Sequence, residues 1–236
     1  MTTFVLIHGG NYTSACWQRL TPLLDGEVLL VDLPGRAGRP ADLATVTLAD
    51  NVAAVIEGLK AHGAPGRDVV LVGHSVAGIT VAHVLNEAPD LVGKIVLLSS
   101  TIPPHGSAVI DHIDPDVRES VMAGSGGGVF KIEDDVARQI LCNDMDEEQT
   151  AFTMAGMVED ATSILAEKVD LSGLGSGVPV TYVRLGNDAT LPPVQQDAAI
   201  AAIGSPEVAR IDSSGHMAMI SHPAELAAIL NEVGAR

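Results

Sequence analysis

Short apolar runs, each closed by glycine or a small polar residue, recur along this chain and alternate with longer stretches whose apolar positions keep helical spacing. Residues 4–7 form the first such run, ended by His8-Gly9-Gly10. Further runs at 28–31, 68–72 and 95–98 end at Asp32, at Gly73 and at Ser99-Ser100. Between them, residues 14–24 carry Trp17, Leu20, Leu23 and Leu24 at roughly helical intervals and predict a packing helix. Thr47 and Asp50 can cap a second helix, on which Leu48, Val52, Val55, Ile56 and Leu59 share one face. An uncharged stretch at 76–85 predicts a buried third helix. Strands that alternate with helix-sized connections imply a parallel sheet covered on both faces, whose ligands bind at the carboxyl ends of the strands.

The alternation stops between residues 101 and 177, where no strand-like run appears. That segment instead holds Gly126-Gly127-Gly128, the acidic patch 144–148, and helical patterns at Val136/Ile140 and Phe152/Ala155/Val158. The sheet pattern resumes at 178–185, followed by a helix over 193–203, a strand over 207–211 and a final helix from Pro223, with Leu226, Ile229, Leu230 and Val233 on one face. The expected organisation is a single α/β core made of 1–100 and 178–236, with 101–177 inserted over the strand ends as a helical cap that walls a pocket. Met145, Met154 and Met157 are candidate apolar lining for it.

Composition narrows the class. The 236 residues are 47% hydrophobic, which excludes disorder, and the apolar runs are strand-sized, too short to cross a bilayer. A net charge of −17 argues against nucleic acid and against anionic membranes as partners. Cys16 and Cys142 are far apart and in no metal-like spacing, and the N-terminal residues lack a basic region, so a cytoplasmic protein with reduced thiols is expected. His105, Asp111, His112 and Asp114 crowd around Pro115 as a solvated loop does, and no metal and no cofactor are expected.

The chemistry concentrates at Gly73-His74-Ser75-Val76-Ala77-Gly78. A strand, a sharp turn and a helix with serine at the apex present that hydroxyl as a nucleophile, and the strained turn needs small neighbours such as Gly73 and Ala77. A serine needs a base, and the base an orienting acid. His216, in Gly-His after the strand at 207–211, and Asp188, just past the strand ending at 185, supply them in the order Ser, Asp, His. Asp212 and Asp197 are nearby, and the position immediately after a strand favours Asp188. The N–H groups of Gly10 and Val76 form the natural oxyanion hole, worth roughly 3 kcal/mol per donor in barrier lowering.

With these residues placed, the sequence resembles the α/β-hydrolase superfamily, and within it the branch of plant methylesterases and hydroxynitrile lyases. The resemblance spans almost the whole chain and rests on residues 4–10 with Trp17, on Gly73-His74-Ser75, on Asp188 with Leu191-Pro192-Pro193 and Gln195 or Gln196, and on 215–219. Ala77 departs from the glycine usual at that position. The lyases of this branch carry threonine where this chain has Gly9 and lysine where it has Met217, so both positions are esterase-like. The resemblance implies an α/β-hydrolase fold and a cofactor-independent serine esterase acting on small, rather apolar carboxylic esters. Gly9, Trp17, Met154, Met157 and Met217 are its candidate pocket residues, and monomer and homodimer both stay open. Two alternatives remain: a lyase that uses the same triad for acid–base work, and a ligand sensor with negligible turnover. An aspartate nucleophile, which epoxide hydrolases and dehalogenases need, is absent from the turn.

Overall fold

The computed structural model describes residues 1–36, 38–113, 118, 128–204 and 206–236. Its strands in chain order are β1 (Thr3–Ile7), β2 (Glu27–Val31), β3 (Val69–His74), β4 (Lys94–Leu98), β5 (Val129–Phe130), β6 (Asp160–Ala161), β7 (Val180–Leu185) and β8 (Glu207–Ile211). Six of them form one sheet in the order β2-β1-β3-β4-β7-β8, and every neighbouring pair is parallel. The helices are α1 (Leu48–His62), α2 (Ala77–Glu87), α3 (Asp134–Leu141), α4 (Glu147–Ala155), α5 (Ser163–Ala166), α6 (Pro193–Ile203), α7 (Ala218–Ser221) and α8 (Pro223–Ala235).

The strands are apolar throughout because both sheet faces are covered, and the pleat sorts them. Val5, Ile7, Leu71, Ile95, Leu97 and Tyr182 pack under α1 and α2, while Phe4, Leu6, Val70, Val72, Val96, Leu98 and Val183 pack against Trp17, Leu20 and α8. Burial of each such aliphatic side chain contributes about 1.5–3 kcal/mol. Helix α1 starts as its sequence requires: Thr47 accepts from Asp50 N–H, Asp50 accepts from Thr47 N–H, and Gly63 closes the helix at φ 73°. From β1 the chain turns to β2 on one side of it, and from β3 to β4 on the other. The loops after β1 and β3 therefore diverge, and a crevice opens between their carboxyl ends.

Three expected elements differ. Residues 14–24 are two 3₁₀ turns, Ser14–Trp17 and Thr21–Leu23, instead of one helix. Pro22 has no N–H and clashes with an α-helical carbonyl four residues back, so the turns close with bonds such as Leu20 N–H to Trp17 O and Leu23 N–H to Leu20 O. The segment between β4 and β7 holds a two-stranded antiparallel ribbon, β5 with β6, where no strand was expected; two-residue strands are too short to show alternation. Helix α3 buries Ala137 and Leu141 and leaves Val136 exposed, and α4 ends at Ala155, so that Val158 lies beyond it. Gly124–Gly127, Asp114 and Pro115 lie outside the described residues. Among the described residues, no helix is long and apolar enough to cross a membrane.

Candidate active site

Strand β3 delivers Ser75 into a left-handed backbone conformation, φ 55°, which costs a non-glycine residue of order 1–3 kcal/mol and persists only when its surroundings hold it. They do. Ser75 N–H donates to Leu98 O at 3.1 Å, and Ser75 O accepts from Gly78 N–H at 3.1 Å and Thr101 N–H at 3.0 Å. The close turn explains the small residues. A Cβ on Gly73 would sit 2.7 Å from Val81 Cγ2, and one on Gly78 would sit 2.7 Å from Ser100 Cβ. Ala77 is accommodated and buried.

Opposite the elbow, the loop after β8 carries His216, which is almost wholly buried. Its Nδ1 lies 2.7 Å from Asp188 Oδ2, on the loop after β7. His216 pairs with Asp188, the aspartate favoured by its place just after a strand, while Asp197 pairs with Arg184 at 2.7 Å. Asp188 is held by four donors. Ser99 Oγ donates to Oδ2 at 2.6 Å, and the N–H groups of Thr190 and Leu191 donate to Oδ1 at 2.8 Å each. Burial by itself pushes this carboxyl up, but His216, Ser99 and Leu191 together hold it below the usual carboxylate range, so it is ionised at neutral pH. An ionised Asp188 accepts the proton-bearing Nδ1 of His216, which leaves Nε2 as the free base nitrogen.

Among the described residues, Nε2 of His216 has no hydrogen-bond partner, and no hydrogen bond joins it to Ser75 Oγ. Elbow and base loop meet instead through the preceding residue. His74 Nε2 donates to His216 O at 3.0 Å, and the two imidazole rings are 4.6 Å apart between centroids. His74 also meets Trp17 edge-on at 6.2 Å. Burial, reinforced by His216, holds His74 well below the ordinary histidine range, so it is neutral and leaves a bare, buried Nδ1.

Gly9 and Gly10 follow β1 and face the elbow. A Cβ on Gly9 would lie 2.9 Å from both Ser75 Cβ and His74 Nδ1, and one on Gly10 would lie 3.6 Å from Val76 Cγ1. Among the described residues, neither Gly10 N–H nor Val76 N–H has a hydrogen-bond partner. Two unengaged donors thus flank the serine from two chain segments, as stabilisation of a developing oxyanion requires.

Of the expected pocket residues, Trp17 and Met217 are fully buried in the core and offer no surface to a ligand. They are packing residues, which is where large apolar side chains next to a buried histidine loop end up. Met157 is buried in the same cluster, Met154 is half-buried beside it, and Met145 Sδ lies 3.1 Å from Thr153 Oγ1. An apolar cleft of about 280 Å³ lies nearby, lined by Ser100, Thr101, Ile102, Leu191, Gln195 and Ala199 among others; neither Ser75 nor His216 lines it. His105 and His112 take separate partners, Leu171 N–H and Ser107 Oγ.

Several residues hold the site in ways that no local sequence signal announces. Ser99 sits at φ 37° with its hydroxyl on Asp188. Asp144 Oδ2 accepts from Gly215 N–H at 2.7 Å, and Asn143 Nδ2 donates to Asn187 O at 2.7 Å, so one segment between β4 and β7 fastens the loops of both His216 and Asp188. A Cβ on Gly215 would fall 2.5 Å from Asp144 Oδ1, so the glycine before His216 has a packing cause. Gln196 is fully buried and bonds both backbone groups of Leu185, at 2.9 Å each, fixing the end of β7 before Asp188.

The family model for the alpha/beta hydrolase family matches residues 4–229. The chain belongs to that family. Among curated relatives, this hydrolase is 25% identical to putative methylesterase 14, chloroplastic, from Arabidopsis thaliana, over 98% of its own length and 71% of the relative's. It is also 25% identical to a pheophorbidase from Raphanus sativus, over 96% and 92%. Among solved structures, it superposes with TM-score 0.90 on an extracellular alpha/beta-hydrolase from a Paenibacillus species, at 21% identity with both chains fully covered. A polyneuridine aldehyde esterase follows at 0.83, with 21% identity and 98% of each chain covered.

Proposed function

We propose that this hydrolase cleaves small, rather apolar carboxylic esters through an acyl-serine intermediate. Ser75 Oγ attacks the ester carbonyl as His216 Nε2 takes its proton, and the carbonyl oxygen becomes an oxyanion held by Gly10 and Val76 N–H groups. Collapse expels the alcohol, which receives the proton from His216, and water then releases the acid by the same route in reverse. Asp188 keeps His216 in the tautomer that leaves Nε2 bare. The observation that carries this reading is the strained elbow serine at a rim where a buried histidine and an ionised carboxylate are already paired. The methylesterases and esterase among its relatives support an ester as the substrate class. Wild-type protein should turn over p-nitrophenyl acetate, and Ser75→Ala should abolish it; equal turnover by the variant would defeat the assignment.

The hydroxynitrile lyase alternative loses support at Gly9. A threonine there would begin with a Cβ 2.9 Å from Ser75 Cβ, and the fully buried Met217 supplies no cation to a leaving cyanide. A cytoplasmic setting is proposed on the two free, buried cysteines. The relatives include chloroplastic and extracellular proteins, and fractionation that finds the protein outside the cytosol would refute the setting.

A further inference from the structure

Arg36 lies in the loop after β2, yet its guanidinium is almost wholly buried. Arg36 Nη2 lies 2.7 Å from Asp160 Oδ2, with side chains 2% and 12% exposed, and Arg36 Nε donates to Tyr12 O at 2.8 Å. Asp160 belongs to β6 of the ribbon. Its Oδ2 also accepts from Asn11 N–H at 2.9 Å, and its Oδ1 accepts from Ala161 N–H at 2.8 Å. Asn11 is pinned on nearly every polar atom: Val158 N–H donates to Asn11 O, and Asn11 Nδ2 donates to Phe130 O and Val158 O. Its backbone is left-handed, φ 60°. The residue before it is Gly10, and a Gly10 Cβ would lie 3.5 Å from Asp160 Oδ2.

We propose that Asp160, neutralised by Arg36, is a positioning residue for the oxyanion hole: it holds Asn11 and thereby anchors Gly10, whose own N–H, on the preceding peptide, stays unengaged beside the serine. The physics has two parts. An oxyanion donor works only if it is held in place before charge develops, and Asn11, tied at N–H, O and side chain, anchors the residue that carries the donor. A carboxylate this close would by itself oppose an oxyanion, so the buried guanidinium is needed to cancel its charge while leaving its acceptor capacity intact. The three-way contact also explains why the ribbon exists, since β5 and β6 supply the acceptors that hold the glycine loop.

The inference rests on the ester-hydrolase reading of Ser75, and the test separates the two. A trifluoromethyl ketone mimics the tetrahedral state: Ser75 Oγ bonds to the ketone carbon, its proton passes to His216, and the carbonyl oxygen takes the negative charge into the hole. Asp160→Asn keeps the shape but removes the charge and at least one acceptor. Its kcat on p-nitrophenyl acetate should fall about 10- to 100-fold at nearly constant KM, and the Ki for the ketone should weaken by a similar factor. A purely structural role would lower Tm and leave kcat and Ki of the folded fraction unchanged, and that result overturns the proposal, as does a variant indistinguishable from wild type. Should Asp160→Asn not fold, Arg36→Gln carries the same test, because it removes the cation that cancels the charge of Asp160. A parallel fall in kcat and ketone affinity supports the inference, and no change in either overturns it. If instead the wild type ignores the ketone and Ser75→Ala still turns over ester, it is the hydrolase reading that fails, and the inference falls with it.

Discussion

Replacing Asp188 by asparagine changes one atom, and the structure dictates how the new amide must sit. The Oδ1 position accepts two backbone N–H groups, from Thr190 and Leu191, at 2.8 Å each. An NH₂ group cannot replace it there without two donor–donor clashes, so the amide oxygen stays at Oδ1 and the NH₂ group faces Ser99 Oγ and His216 Nδ1. Ser99 adapts by rotating its hydroxyl to accept. His216 can adapt only by moving its proton to Nε2, and the imidazole that faces Ser75 is then a donor that cannot take the serine's proton. The magnitude follows: a reversed tautomer with intact geometry costs about 10⁴-fold in kcat, or about 5 kcal/mol of barrier. The fold loses less, because backbone contacts survive and only charge assistance disappears, about 1.5–3 kcal/mol, or roughly 3–12 °C in Tm for a domain of this size. Steady-state kinetics on p-nitrophenyl acetate beside a thermal melt measure both numbers. A folded Asp188→Asn protein with kcat within tenfold of wild type would refute the assignment of Asp188 as the partner that sets the tautomer.

Gly9→Ala should overpack the elbow, since its Cβ would meet Ser75 Cβ and His74 Nδ1 at 2.9 Å; we expect a stability loss of about 1–3 kcal/mol and a fall in kcat/KM of at least about tenfold, and an unperturbed enzyme would show that the loop yields. Asp144→Ala leaves Gly215 N–H without its carboxylate, so chemical denaturation should report a loss of about 1–3 kcal/mol with a lower kcat, and unchanged values of both would contradict its role as a fastener of the His216 loop. Acid should destabilise the fold before the carboxylates titrate. Burial and then Arg36 lower His8 to about 4, so the unfolded chain binds more protons between about pH 6.5 and 4, and stability is full above that window and lost as pH falls through it. His8 alone removes about 2 kcal/mol by pH 5, with neutral His74 acting in the same direction. Urea melts at pH 7.5 and pH 5 that agree within error would contradict the buried neutral histidines.

The sheet was legible because its strands carry a signal that burial on two faces cannot hide: continuous Val, Leu and Ile runs closed by glycine or polar residues. Ser75 was legible because a strained turn demands small neighbours at fixed offsets, and His216 because Gly-His stands just past a strand. The rest was not, for physical reasons. Ser99 and Asp188 meet across 89 positions, and Asn11 meets Asp160 across 149; no local pattern announces a hydrogen bond between distant loops. Arg36 had no task readable from the sequence, since a buried cation is recognisable only once its carboxylate is placed. Trp17 and Met217 misled in the opposite direction. Both are next to site residues in sequence or motif, yet a large apolar side chain beside a catalytic loop packs inward to hold it as readily as it faces a substrate.

The central claim is that Ser75 is the nucleophile and His216 its base, although the two side chains are not hydrogen-bonded in this structure. The most direct measurement is reaction with a fluorophosphonate, followed by peptide mapping of wild-type and His216→Ala protein by mass spectrometry. The account predicts a single phosphonyl adduct on Ser75 in the wild type, formed at least about a thousandfold more slowly once the imidazole is gone. Labelling at another residue, or a Ser75 adduct that forms at the same rate without His216, would contradict it.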